Sequence, residues 1–241
     1  MTAIARAAAA RGVTLPVSFV ERLAGRLSYA CVVTRGGRLR MLSLWAALTA
    51  AGRARGSPGV DLGAAQDDLA WWMQALTSGA CTERLWVSSA LGAASSVVNI
   101  RSDASGVDGL SAGIVFGSAC AAWFRFTPRE VPLSIGAKEL YPPVQLLERL
   151  GPLARGQFLS YGTDNAANAY AINRGSCHDA DALPYLRRLF ELSEEHGFEI
   201  VARWVPREFT GLCDALSKAD TAEAALAALR GVPLSGFHVE P

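Results

Sequence analysis

Apolar residues are spaced for helices through the first third of the chain, and for strands and helices in alternation after it. The run "PVSFVERLAGRLSYACVV" from Pro16 puts Phe19, Val20, Leu23, Leu27 and Ala30 on one helical face. Its proline suits a first turn, where no backbone N–H is needed. "RGGRL" at positions 35–39 interrupts the pattern, and "RLRMLSLWAALTAAG" restores it as far as Gly52. "RARGSPGVD" has the composition of a linker. "AAQDDLAWWMQALTSG" predicts a third helix, with Asp67 and Asp68 early, where the helix dipole favours acids. Adjacent Trp71 and Trp72 cannot share one face of that helix, so one belongs to the core and the other to an interface.

After Gly79 the pattern changes. "SSVVNIRSD" reads as a strand ending at Asp103, and "ASGVDG" as a turn with Asp108-Gly109 as a hairpin signal. "LSAGIVFG" and "AAWFRFTP" read as two more strands, and "AKELYPPVQLLERLG" as a helix. Pro142-Pro143 fits that helix only in its first turn or at a kink. A strand "GQFLSYGTD", helices "NAANAYAINRG" and "DALPYLRRLFELSEEHG", a strand "FEIVARWVP" and short helices "LCDALSKAD" and "TAEAALAALRG" complete the chain. Three antiparallel strands followed by helices and two further strands describe an α/β fold with a mixed sheet.

With 241 residues, 51% of them hydrophobic, the chain is large enough for one sizeable domain or two small ones and too apolar to be disordered. No stretch of 18 uninterrupted apolar residues occurs, so no membrane span is expected. The start, "MTAIARAAAARG", faintly resembles a transit peptide but lacks its serines, and a frayed helical leader is the simpler reading. The five cysteines are widely spaced, which excludes a zinc knuckle and suits a reducing compartment, cytoplasmic or nuclear. Charge is unevenly spread: residues 1–60 hold nine arginines and one acid, Glu21, whereas residues 61–241 hold 14 basic and 21 acidic groups. Such a basic arm suits a polyanion, although arginines also cover ordinary helix faces.

The candidate chemistry lies in four acids at element ends. Asp103 closes the first strand, Glu139 enters the helix after the third, Asp164 closes the fourth strand, and Asp214 opens a late helix. Adjacent strand ends lie about 5 Å apart, so Asp103 and Asp164 converge if their strands are neighbours, and the two helix-borne acids can reach the same spot. Oxygen-only ligands suit Mg²⁺ or Mn²⁺, and two such ions serve phosphodiester chemistry. Each acid also has a plainer reading. Asp164 or Thr163 would cap the next helix, Asp103 would serve a turn, Glu139 would lie on a solvated face beside Lys138, and Asp214 would pair with Lys218.

"RSDASGVDGLSAGIVFG", "SIGAKELYPPVQLL", "SYGTDNAANAYAINRG" and "ARWVPREFTGLCDALSK" resemble, in order and spacing, the acidic motifs of the ribonuclease H domain of retroelement reverse transcriptases, nearest to the DIRS-like group. "VERLAGRLSYACVVTRGGRLRMLSLW" and "DDLAWWMQAL" are similar to the helical connection that precedes that domain, so the resemblance spans about residues 13–219. It implies a ribonuclease H-like five-stranded mixed sheet flanked by helices over residues 93–220, a helical region over 1–92, and a C-terminal helix and tail over 221–241. It further implies metal-dependent cutting of the RNA strand of an RNA–DNA hybrid, with Asp103, Glu139, Asp164 and Asp214 holding two Mg²⁺ or Mn²⁺ ions. Ser105 and Asn165 would be near-shell polar groups, and Arg35, Arg38, Arg40, Arg53 and Arg55 would grip phosphates. Thr210, Cys213, Lys218 and Leu110 depart from the usual pattern without removing an acid.

Cellular ribonucleases of this type often carry a histidine shortly before the last acid, and "VPREFTGLCD" has none. His178 is then either a substitute or an ordinary loop residue, and His196 and His238 read as structural or incidental. No polymerase signature is present, so copying nucleic acid would fall to an upstream reverse transcriptase polymerase domain. An enzyme is the first expectation. An inactive or weak nucleic-acid-binding module derived from a reverse transcriptase is the second, and a remnant that only folds is the third.

Overall fold

The computed structural model describes residues 2–10, 12, 14–31, 33–34, 36–54, 59–78, 97–106, 109–118 and 120–230. The chain divides into two compact units, Met1–Gly92 and Ala93–Pro241.

The first unit is built on helices α1 (Thr2–Ala9), α2 (Val17–Ala30), α3 (Leu42–Arg53) and α4 (Gln66–Thr77). Their apolar faces meet in a core that includes Val20, Leu23, Leu27, Leu44, Leu69 and Trp72. The leader is not frayed, since Ile4 and Ala7 of α1 are buried in that core. Trp72 is the core member of the tryptophan pair, and Trp71 lies partly buried with its ring edge-on at 5.3 Å. The break at "RGG" has a packing cause. Gly36 takes the left-handed φ of +72°, and a Cβ on Gly37 would stand 2.7 Å from the Trp72 ring. A short antiparallel pair, β1 (Thr14–Leu15) with β2 (Val60–Asp61), was not expected. Two residues are too few to show a period of two.

The second unit holds β3 (Val97–Ala104), β4 (Ser111–Phe116), β5 (Cys120–Arg125), β6 (Phe158–Thr163) and β7 (Glu199–Trp204) in one sheet of order β5-β4-β3-β6-β7. β3, β4 and β5 form an antiparallel meander, whereas β6 and β7 run parallel to β3. Parallel neighbours need crossovers, which helices supply. They are α5 (Ile135–Leu150) between β5 and β6, and α6 (Ala166–Arg174) and α7 (Ala182–His196) between β6 and β7. α8 (Gly211–Ser217) and α9 (Ala222–Arg230) follow β7. Leu212 and Leu216 of α8 and Ala225 of α9 share an apolar cluster with Val115 of β4. This is an α/β unit, a mixed five-stranded sheet flanked by helices. Residues 231–241 of the expected tail, Cys81 and Asp108 of the hairpin signal lie outside the described residues.

Of the two places expected for Pro142-Pro143, the first helical turn is excluded. Pro142 and Pro143 sit inside α5, well past its first turn, and both are buried. A proline removes the bond from its own nitrogen to the carbonyl four residues back, so Pro143 releases the carbonyl of Glu139. That carbonyl instead accepts from the hydroxyls of Ser102 at 3.3 Å and Tyr161 at 3.2 Å.

Candidate active site

The sheet register brings the first two acids together. Arg101 of β3 pairs with Gly162 of β6, and continuing two residues further places Asp103 level with Asp164 on the adjacent strand. Asp103 is 1% exposed. Burial, more than any neighbour, raises its carboxyl pKa, and the charges of Asp164 and Asp214 push the same way. Trp204 at the end of β7 donates its indole N–H to the Asp164 carbonyl at 3.0 Å, which ties the acid to the next strand.

Glu139 reaches this corner from α5. The helix is held at its start by Ser134, whose hydroxyl oxygen accepts from the Ala137 N–H at 3.1 Å and whose hydroxyl donates to Asp179 at 2.5 Å. Asp179 in turn accepts from the N–H groups of Asp181 and Ala182 at the start of α7. Glu139 is 6% exposed, so it is no solvated face residue. Thr163 Oγ1 and Asn168 Nδ2 donate to its Oε2 at 3.3 and 3.4 Å. Its carboxyl is pushed up to about 8, first by burial and then by the charges of Asp164 and Asp103, with hydrogen bonds from Thr163 and Asn165 opposing. Lys138, the neighbour expected on the same exposed face, is fully buried and donates to the carbonyls of Gly106 and Gly109.

Asp214 arrives on α8, which lies close against the sheet because Gly113, opposite Asp103 on β4, has no side chain. A Cβ there would stand 2.4 Å from Leu216 Cβ and 2.8 Å from the Cys213 carbonyl oxygen. Ser217, one turn on, donates to Asp103 Oδ2 at 2.6 Å. Lys218 donates to Asp214 Oδ2 at 2.6 Å, so the plainer pairing is present alongside the convergence. Arg207, from the 3-10 turn Arg207–Thr210, sets its Nε 3.4 Å from Asp214 Oδ1 and 3.9 Å from Asp164 Oδ2.

Among the described residues, no three His, Cys, Asp or Glu side chains stand as a ready metal-binding group. The oxygens nevertheless fit one. Oδ1 of Asp164 and Oδ1 of Asp214 are buried without a hydrogen-bond partner. Arg207 Nε meets the Asp214 oxygen at 3.4 Å, so Asp164 Oδ1 is the oxygen whose burial is costly until a cation meets it. All donors present are hard oxygens, as Mg²⁺ and Mn²⁺ require.

The remaining expectations divide. Asn165 caps α6, accepting from the N–H groups of Ala167 and Asn168 at 3.0 and 3.2 Å. It is therefore the cap that Asp164 or Thr163 was expected to be. The Ser105 hydroxyl donates to the Ser111 carbonyl at 2.6 Å and accepts from the Ser111 N–H at 3.0 Å, closing the β3–β4 loop. Arg40 is engaged within the helical unit. It pairs with buried Asp68 at 3.2 Å and lies over the Trp71 ring, so its charge serves the helical core. Arg38 and Arg53 are exposed, while Arg35 and Arg55 lie outside the described residues. His178 is exposed in the loop before α7, and His196 packs against Gly151, where a Cβ would lie 2.0 Å from its ring. His238 lies outside the described residues. Arg207, Ser217, Gly113, Ser102 and Tyr161 carried no sequence signal of their own beyond membership in the quoted motifs.

No family model and no curated protein matches the chain. Among solved structures it is similar to the N-terminal RNase H domain of rv2228c from Mycobacterium tuberculosis, studied as a fusion with maltose-binding protein. The identity is 18%, the TM-score 0.43, and the match covers 57% of this chain and 99% of that one. It is also similar to LC11-RNase H1, isolated from compost by a metagenomic approach, at 15% identity and a TM-score of 0.41, over 55% of this chain and 96% of that one. The chemistry of the site rests on this chain's own side chains.

Proposed function

We propose that the second unit is a metal-dependent endonuclease that cuts the RNA strand of an RNA–DNA hybrid, a ribonuclease H derived from a retroelement of the DIRS-like kind. The observation that carries this reading is the approach of carboxylates at one corner of the sheet: Asp103 feels the charges of Asp164 and Asp214, Glu139 those of Asp164 and Asp103, and Asp164 Oδ1 is buried without a hydrogen-bond partner. Asp103, Glu139, Asp164 and Asp214 would hold the ions. Two bound divalent ions supply water activation and charge neutralisation at the phosphodiester. The chain's own part is to hold the four acids against their mutual repulsion. Ser217 fixes Asp103, Thr163 and Asn168 fix Glu139, and the Asp164 main chain is tied to Trp204. A partner polymerase domain upstream and an intracellular setting go with this reading.

Pairing of Asp214 with Lys218, and of both Asp164 and Asp214 with Arg207, favours a second reading. In it the acids are already neutralised and the unit binds the hybrid without cutting it. A labelled RNA–DNA hybrid incubated with Mg²⁺ or Mn²⁺ separates the two. Cleavage by the wild type that is lost in Asp164→Asn supports the enzyme. Binding without cleavage, equal in both proteins, supports the module.

A further inference from the structure

Pro143 is a misfit by sequence rules, since a proline inside a helix deletes a hydrogen bond and crowds the carbonyl four residues back. In α5 that carbonyl belongs to Glu139, the one candidate ligand borne by this helix. Two hydroxyls from the sheet take it: Tyr161 donates at 3.2 Å and Ser102 lies at 3.3 Å, with 2.7 Å between the two hydroxyl oxygens. Ser102 is 1% exposed and Tyr161 fully buried. Each sits on a strand that leads to another acid, Ser102 directly before Asp103 on β3 and Tyr161 on β6, three residues before Asp164, which follows the end of that strand.

Resting on the nuclease reading above, we propose that Ser102 and Tyr161 are positioning residues for Glu139, and that Pro143 makes them so. An ordinary helix would keep the Glu139 carbonyl in its own ladder and tie the helix to the sheet only by apolar packing, which fixes direction weakly. The proline frees a strong acceptor, and two buried hydroxyls fasten it to the strands of Asp103 and Asp164. The main chain of the helix-borne acid is thereby referenced to both strand-borne acids through bonds that tolerate only small displacements. Each hydroxyl has one proton, so the three groups form a chain: one hydroxyl donates to the other, which donates to the Glu139 carbonyl, and either hydroxyl can take either place.

The test uses the full chain, comparing wild type, Tyr161→Phe and the double variant Pro143→Ala/Tyr161→Phe. Urea unfolding in EDTA reports stability. The Mn²⁺ concentration for half of the maximal thermal shift reports the ligand arrangement, and hybrid cleavage gives kcat and KM. Tyr161→Phe should unfold more readily, need about tenfold more Mn²⁺, and lose kcat with KM unchanged. In the double variant the substituted alanine offers a backbone N–H to the Glu139 carbonyl, so stability should return toward wild type while the Mn²⁺ requirement and kcat stay at the single-variant level. Recovery of all three would mean the hydroxyls merely satisfy a buried carbonyl, and the proposal would fall. It also falls if Tyr161→Phe keeps the wild-type Mn²⁺ requirement. If Tyr161→Phe does not fold, Ser102→Ala, which removes the second hydroxyl, is read in the same way. A wild type with neither a Mn²⁺ shift nor cleavage overturns the nuclease reading, and this inference with it, whereas a responsive wild type leaves that reading standing whatever the variants do.

Discussion

The hydroxyl of Ser217 donates to Oδ2 of Asp103 at 2.6 Å, joining α8 to β3 across 114 positions of chain. Both residues are 1% exposed. The bond opposes the rise that burial imposes on the Asp103 carboxyl, and it holds one oxygen in place.

Ser217→Ala should therefore destabilise the protein by about 1–2 kcal/mol and slow hybrid cleavage about tenfold, since a buried carboxylate loses its donor. Ser217→Thr keeps the hydroxyl and should retain most of both. Urea unfolding and steady-state cleavage of a labelled hybrid check this.

Arg207 stands between Asp164 and Asp214 as their shared counter-ion, yet its side chain is 64% exposed. A divalent ion at those oxygens competes with it. Arg207→Gln should lower the melting temperature slightly in EDTA and reduce the Mn²⁺ needed for half of the thermal shift by about two- to tenfold. An unchanged Mn²⁺ requirement would show that the guanidinium does not compete.

The Glu139 carboxyl, raised from 4.5 to about 8, links stability to pH. Between those values the unfolded chain has released this proton and the folded protein keeps it. The contribution is thus fully present below pH 4.5 and is lost as pH rises through about 8. Glu139→Gln cannot titrate. Chemical unfolding in EDTA across this range should show the wild type losing stability relative to Glu139→Gln as pH rises, and a constant difference would contradict the assignment.

Arg40 and its neighbours separate structure from binding. Arg40→Ala removes the cation beside Asp68, which is 3% exposed, and should cost about 2–4 kcal/mol. Arg38→Ala and Arg53→Ala, on exposed positions, should change stability by less than about 0.5 kcal/mol. If these two grip phosphates, each should weaken hybrid binding and lower its salt slope by about 1. Denaturant melts and filter binding at several salt concentrations distinguish the cases.

Element types were legible because each apolar pattern here is local. The strand ending in "NIRSD", the helix "NAANAYAINRG" and the strand "FEIVARWVP" read correctly from a few neighbours. The two-residue strands β1 and β2 did not, being shorter than any period. The pairing of Arg40 was not legible because its partner, Asp68, lies 28 positions away. Pro142-Pro143 could be placed only in a first turn or at a kink because nothing local shows that Ser102 and Tyr161 wait for the carbonyl that Pro143 frees.

By itself the amino-acid order determined which segments coil, which extend, and which acids fall at their ends, since those choices follow from residues within a few positions of one another. Only the tertiary structure decided that β3 and β6 are neighbours, that Gly113 admits α8, and that Arg207, Ser217 and Tyr161 meet the acids. Desolvation, charge repulsion and hydrogen bonding depend on distance through space, and strand order and helix packing set that distance.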